Sequence, residues 1–159
     1  MEPRAVPETM RAYRIGDPAG QFPVWSTEGA KHVSGRWHDE GAAVIYTSEH
    51  YSTAMLETLA HWDGVIPPNQ HFIEITIPRG TSYEVVTADV VPDWYRASEE
   101  AARRFGRAWY EECRSALLIV PSVVARIERN VIINSQHPDF KGLAVGLETP
   151  VWWDRRLFA

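Results

Sequence analysis

Apolar and polar positions change period several times along this chain. MRAYRI (10–15) has the short, mixed character of a strand, and GDPAG stops it. Residues 20–41 show no sustained period and hold several glycines, which predicts a long irregular segment of the kind that often carries function. AAVIYT (42–47) is a strand. Ser48 then offers a helix N-cap, Glu49 a favourable first-turn charge, and the period becomes helical through Trp62. Met55, Leu59 and Trp62, with Leu56 and Ala60 beside them, form the stripe expected to face the core.

After the loop GVIPPNQ, HFIEITIP (71–78) alternates as a strand, and TSYEVVTA (81–88) is expected to pair with it across Arg79-Gly80. Ser98 is placed to cap a second helix running to about Cys113, with Ala102, Phe105 and Trp109 on its buried stripe. ALLIVPS (116–122) and NVIIN (130–134) are buried strands, SQHPDF is a turn, LAVGLE is a further strand, and VWWDRRLF closes the chain. Strands outnumber helices and hairpins mix with helices. This predicts an α+β fold, a mixed and mostly antiparallel sheet with flanking helices, in a single domain over 1–159 whose first nine residues form a loose leader.

Length and composition fit that picture: 159 residues with 45% hydrophobic and 23% charged positions suffice for one core. A net charge of −5 disfavours a nucleic-acid surface, and the one basic cluster, Arg103, Arg104 and Arg107, lies among glutamates at helical spacing. A single cysteine, Cys113, excludes an internal disulfide or a CxxC motif, and its place predicts a buried thiol inside a helix. The first ten residues hold no apolar signal-peptide core and no run approaches a membrane span, so a soluble, cytoplasmic protein is expected.

Much chemistry is missing. The sequence holds no G-x-G-x-x-G, no Walker A lysine motif, no HExxH, no EF-hand loop and no G-x-S-x-G, and its six histidines lack zinc-ligand spacing. No metal is therefore expected, and any site must be built from Arg, Tyr, Glu, Ser and Asn. Three candidates fall in one stretch: Arg36 in a glycine-flanked turn, Tyr46 at a strand end, and Glu57 within the following helix. Taken singly each has a plain alternative. Glu57 projects opposite the apolar arc of its helix, Tyr46 shares a strand face with Val44, and Arg36 sits in a loop.

Together they carry a resemblance. GRWhdeGaaviYtSehystAmlEtlah, starting at Gly35, resembles the RES domain, the toxin half of a bacterial toxin–antitoxin pair whose partner has an Xre-like DNA-binding region. Pro121-Ser122, Asn130, Asn134 and His137-Pro138 resemble the family's later block, although this chain reads NSQHP where many members have Asn-Pro before the His-Pro pair. The resemblance implies an ADP-ribosyltransferase-like fold and consumption of NAD⁺. It implies active-site positions for Arg36, Tyr46 and Glu57, a supporting one for Ser122, and dinucleotide contact for Arg36, Tyr46, Ser122 and Asn134. It also implies an Xre-like antitoxin that covers the cleft and, in some members, a protein target in nucleotide biosynthesis.

Those residue types suit that chemistry. A planar guanidinium matches a pyrophosphate bidentately. Cleaving the nicotinamide–ribose bond passes through an oxocarbenium-like state that a carboxylate on a rigid helix stabilises. Tyrosine can stack on the nicotinamide or the ribose. Three acceptors of ADP-ribose stay open: a protein side chain, inorganic phosphate and water. The rival class is a non-catalytic α+β module that binds a nucleotide or a protein through its tryptophans.

Overall fold

Strand β2 (Met10–Gly16) lies at the centre of one half of the sheet, because it pairs on both sides. In the computed structural model, which describes residues 3–159, it runs antiparallel to β4 (His71–Ile77) along its whole length and to β3 (Val44–Ser48) through Tyr13 and Ser48. The remaining strands are β1 (Arg4–Ala5), β5 (Ser82–Val85), β6 (Leu117–Pro121), β7 (Arg129–Asn134), β8 (Ala144–Val145) and β9 (Thr149–Pro150). Their order is β1-β5-β6-β7-β3-β2-β4-β8, with β9 also on β4. Every pairing is antiparallel except β5 with β6. Three helices flank it: α1 (Glu28–His32), α2 (Tyr51–His61) and α3 (Glu100–Glu111). The α+β class expected from the sequence holds.

Strand alternation sends side chains to two cores. Ala12, Ile45, Ile73, Ile75, Leu117, Val131 and Ile133 fill one face, where Trp25 and Phe140 stack with centroids 5.8 Å apart. Val44, Leu118, Val120 and Ile132 fill the other, beneath Ala102 and Trp109 of α3 and beside Trp37. The predicted stripe of α3 is therefore correct in its centre. Trp109 is fully buried, and its indole N–H donates to Ser115 Oγ at 2.8 Å. Gly106 permits the closest approach in this layer, since a Cβ there would collide with the Trp37 carbonyl.

Several expectations need correction. Residues 1–9 are not a loose leader from Arg4 onward: β1 pairs with β5, and Val6 is buried and exchanges backbone bonds with Gly80 and Thr81 (Met1 and Glu2 lie outside the described residues). The hairpin across Arg79-Gly80 does not form. Thr81 turns the chain away, and β5 pairs with β1 and, in parallel, with β6. Ser48 is the last residue of β3, and α2 starts at Tyr51 with no side-chain cap. Ser98 does not cap α3 either; Glu99 holds that position with φ of 58°. Cys113 lies past the end of α3, exposed, at φ of 50°. LAVGLE supplies only the two residues of β8.

Helix α2 is rotated relative to its apolar stripe. Its fully buried positions are Thr53 and Ala54, while Leu56 is 46% exposed. Two small side chains let α2 approach the sheet closely, and Tyr51 packs edge-on against Tyr13 and Phe72. Residues four further on share that face. Glu57 and Thr58 therefore turn inward. Among the described residues no helix is long and apolar enough to cross a membrane.

Candidate active site

A cleft of about 520 Å³ opens where α2 leans away from the ends of β2 and β3. Tyr13, Arg14, Tyr46, Ser48, Glu57, Trp62 and Asn130 are among the residues lining it. Glu57 is its fixed carboxylate. Ser122 Oγ and Asn130 Nδ2 both donate to Glu57 Oε1, each at 2.8 Å. Each donor is itself held: Ser122 Oγ accepts from the Ala125 N–H at 3.1 Å, and Asn130 Oδ1 accepts from Ser48 Oγ at 2.8 Å. The register explains the gathering, because Ser48 lies directly opposite Asn130 and Tyr46 opposite Ile132 on the same sheet face. Among the described residues no side-chain hydrogen bond reaches Oε2, so one oxygen is anchored and the other is left for a ligand.

Tyr46 is held from two sides. Its Oη accepts from the Trp37 backbone N–H at 3.0 Å and lies 2.9 Å from His38 Nδ1. His38 is buried, and its Nε2 faces only the carbonyls of Ala30 and Val33, at 3.0 and 2.8 Å. Carbonyls only accept, so Nε2 carries the ring proton and Nδ1 accepts from the Tyr46 hydroxyl. Burial pushes the phenol well above its usual value, partly offset by the Trp37 N–H, so Tyr46 is a neutral group. Gly35 makes room for this arrangement: a Cβ there would lie 2.8 Å from both Tyr46 Oη and the His38 ring.

Arg36 does not line the cleft. Its Nη1 donates to the carbonyls of Trp94 and Arg96 at 2.9 and 2.8 Å, and its Nη2 pairs with Glu99 at 3.3 Å. Arg103 completes the network, donating to Gly35 O and to Glu99 Oε1, each at 2.9 Å. The two arginines thus tie the turn bearing Trp37 and His38 to the start of α3. They also hold Glu99 in the left-handed region that most side chains avoid.

The arginine that does line the cleft is Arg14, which sequence reasoning missed. Its Nε donates to Val24 O at 2.6 Å and its Nη1 to Tyr46 O at 2.9 Å. Burial lowers its pKa to about 10, which leaves it charged at neutral pH. Among the described residues no carboxylate pairs with it. A desolvated cation with carbonyl partners only is costly on its own and favours an anion beside it. An arginine at an inward end of a strand was the available signal.

Ser122 is fully buried and reaches the cleft only through Glu57. Asn134 is fully buried, does not line the cleft, and shapes the following turn: its Oδ1 accepts from the Gln136 N–H, and its Nδ2 faces Cys113 Sγ at 3.9 Å. His137 caps the 3₁₀ turn Pro138–Gly142 by accepting from the Asp139 N–H. Asn130, rather than Asn134, is the asparagine beside Glu57. Among the described residues no three His, Cys, Asp or Glu side chains group to hold a metal.

Fold and site define a small α+β protein with an anchored carboxylate and, among the described residues, an arginine without a carboxylate partner facing one cleft. It belongs to the RES-domain family, whose model matches residues 11–154. The chain is 38% identical over 139 residues to a Prs ADP-ribosylating toxin of Sphingobium sp. (strain YBL2), covering 84% of this chain and 81% of that one. It is 34% identical over 120 residues to Toxin Res of Photorhabdus laumondii (74% and 76%) and 33% identical over 138 residues to Toxin Res of Pseudomonas putida (84% and 92%). In fold it is similar to the M. tuberculosis MbcT–MbcA toxin–antitoxin complex, with a TM-score of 0.72 at 14% identity over 92% of this chain and 86% of that chain.

Proposed function

We propose that this protein is the toxin of a RES–Xre toxin–antitoxin pair and that it cleaves NAD⁺ in the cytoplasm at the nicotinamide–ribose bond. The observation that carries this reading is Glu57, with one oxygen fixed by Ser122 and Asn130 and the other open to a cleft shared with Arg14. In that arrangement the C–N bond breaks, nicotinamide leaves with the electron pair, and the free oxygen of Glu57 faces the oxocarbenium carbon. The acceptor's nucleophilic atom then bonds to that carbon and gives up its proton to solvent. Arg14 supplies the cation for the pyrophosphate. Tyr46 offers its ring to the ribose or nicotinamide. Arg36 acts as a positioning residue through the turn that holds Tyr46.

A protein acceptor for ADP-ribose is favoured by the relative named a Prs ADP-ribosylating toxin; an enzyme of nucleotide biosynthesis, the target that the family resemblance implies, is the proposed acceptor. The similarity to a chain of a toxin–antitoxin complex supports an antitoxin partner, and on this reading that partner covers the cleft. Purified protein should release nicotinamide from NAD⁺, and co-expression with the antitoxin should restore growth. A folded protein that releases no nicotinamide, with or without candidate acceptors, overturns the reading.

A further inference from the structure

Three hollows meet at Arg14. One is the cleft beside Glu57. The second, about 310 Å³, lies between α1 and β3 and is lined by Ser26, Gly29, Ala30 and Val33. The third, about 250 Å³, is bounded by Phe22, Pro23 and again by Ser26 and Gly29. Arg14 lines all three, with two of its five N–H groups committed to the Val24 and Tyr46 carbonyls. A cation with a hollow on either side matches a ligand whose anionic centre joins two bulky halves.

We propose that the adenosine half of the dinucleotide lies in the trough along α1, on the far side of Arg14 from Glu57. The inference rests on the NAD⁺ reading and gives that substrate its second subsite. Phe22 supplies a flat aromatic wall, held in place by stacking on His32 with centroids 5.4 Å apart and 26° between planes. The His32 ring is itself fixed, since its Nδ1 lies 2.7 Å from Glu28 O, an acceptor that requires the proton on that nitrogen. Gly29 leaves the floor of the trough open, because a Cβ there would meet nothing within 4 Å. A purine stacks on such a wall whatever its edge groups, so this subsite supplies affinity and leaves the reaction to the Glu57 side.

The test separates the two halves of the ligand. Gly29→Leu fills the trough while removing a glycine from a helix, a change that helix propensity favours. Phe22→Ala removes the wall at a half-buried position and serves as the second variant. Calorimetric titration of each with NAD⁺, AMP and nicotinamide mononucleotide should show NAD⁺ and AMP weakened by roughly tenfold or more, the range one stacked base contributes, and the mononucleotide unchanged. Equal weakening of all three probes, or of none, overturns the subsite. AMP keeps the test independent of catalysis. If wild-type protein binds AMP along α1 but releases no nicotinamide, the cleavage reading fails and the subsite stands.

Discussion

Asn130 and Glu57 meet side chain to side chain across the junction of sheet and helix, Nδ2 donating to Oε1 at 2.8 Å. The contact joins positions 73 residues apart, and Ser48, opposite Asn130 in β3, sets the amide's orientation. Ser122 arrives at the same oxygen from the end of β6. Three strands and a helix thus agree on where one carboxylate stands.

Glu57→Gln should therefore fold normally and lose its chemistry. A glutamine keeps an oxygen for both donors, so stability should change by less than about 1 kcal/mol. The negative charge facing the cleft is gone, and nicotinamide release should fall by about 10²–10³-fold, as when one transition-state stabiliser is removed. Asn130→Ala and Ser122→Ala each loosen the carboxylate and should give smaller losses. Thermal unfolding and a nicotinamide assay on the same samples check this, and full activity in folded Glu57→Gln would remove Glu57 from the mechanism.

Tyr46→Phe separates a ring from a hydroxyl. The substitution keeps the aromatic face but leaves the Trp37 N–H and His38 Nδ1 without their buried partner. Orphaning such groups costs about 1–3 kcal/mol, so the midpoint of thermal unfolding should drop even if the ring alone serves the ligand. An unchanged midpoint would mean that the Trp37–His38–Tyr46 cluster contributes nothing to the turn.

The sequence disclosed the strands better than their pairing. β2, β3, β4, β6 and β7 follow from alternation and apolar runs, but the rejected hairpin after β4 depends on β1 pairing with β5, a contact no local pattern announces. Glu57 was visible only by resemblance. Periodicity places it opposite the apolar arc and so outward, whereas α2 in fact packs through Thr53 and Ala54 and leaves Leu56 exposed. Arg36 and Arg14 show the same limit from the other side. Both are arginines near glycines that donate to backbone carbonyls, and only the tertiary structure pairs the first with Glu99 away from the cleft and sets the second in the cleft wall with no carboxylate partner among the described residues.

Arg14 makes ligand binding sensitive to alkaline pH. Burial holds its folded pKa at about 10, well below the ordinary arginine value, so the cation is present at neutral pH and is lost as pH rises through 10. Affinity for ADP-ribose, whose diphosphate diester does not titrate in this range, should be flat below that value and then fall by about tenfold per pH unit, because the anion needs the charged form. Folding stability moves the other way. Between about 10 and the ordinary arginine value the unfolded chain holds the extra proton, so this group's contribution becomes more favourable as pH rises through that window, and its desolvation cost applies at neutral pH. Arg14→Gln should bind weakly with no such dependence. An affinity that stays level to pH 11 in the wild type would place the pyrophosphate away from Arg14.

Arg36→Lys distinguishes a strut from a ligand-binding residue. Lysine keeps the charge but cannot span the Trp94 and Arg96 carbonyls and Glu99 together, which one guanidinium does through Nη1 and Nη2. Losing these bonds should cost about 1–2 kcal/mol and relax the segment before α3, where Glu99 has a left-handed backbone and its carboxylate pairs with both arginines. Amide exchange over residues 94–99 should quicken, and kcat should fall through Tyr46 while the affinity for pyrophosphate stays near wild type. A direct phosphate contact predicts the reverse: weaker pyrophosphate binding with exchange unaltered. Measuring both on one variant decides whether the arginine of the Gly35-Arg36-Trp37 turn touches the substrate or builds the wall behind it.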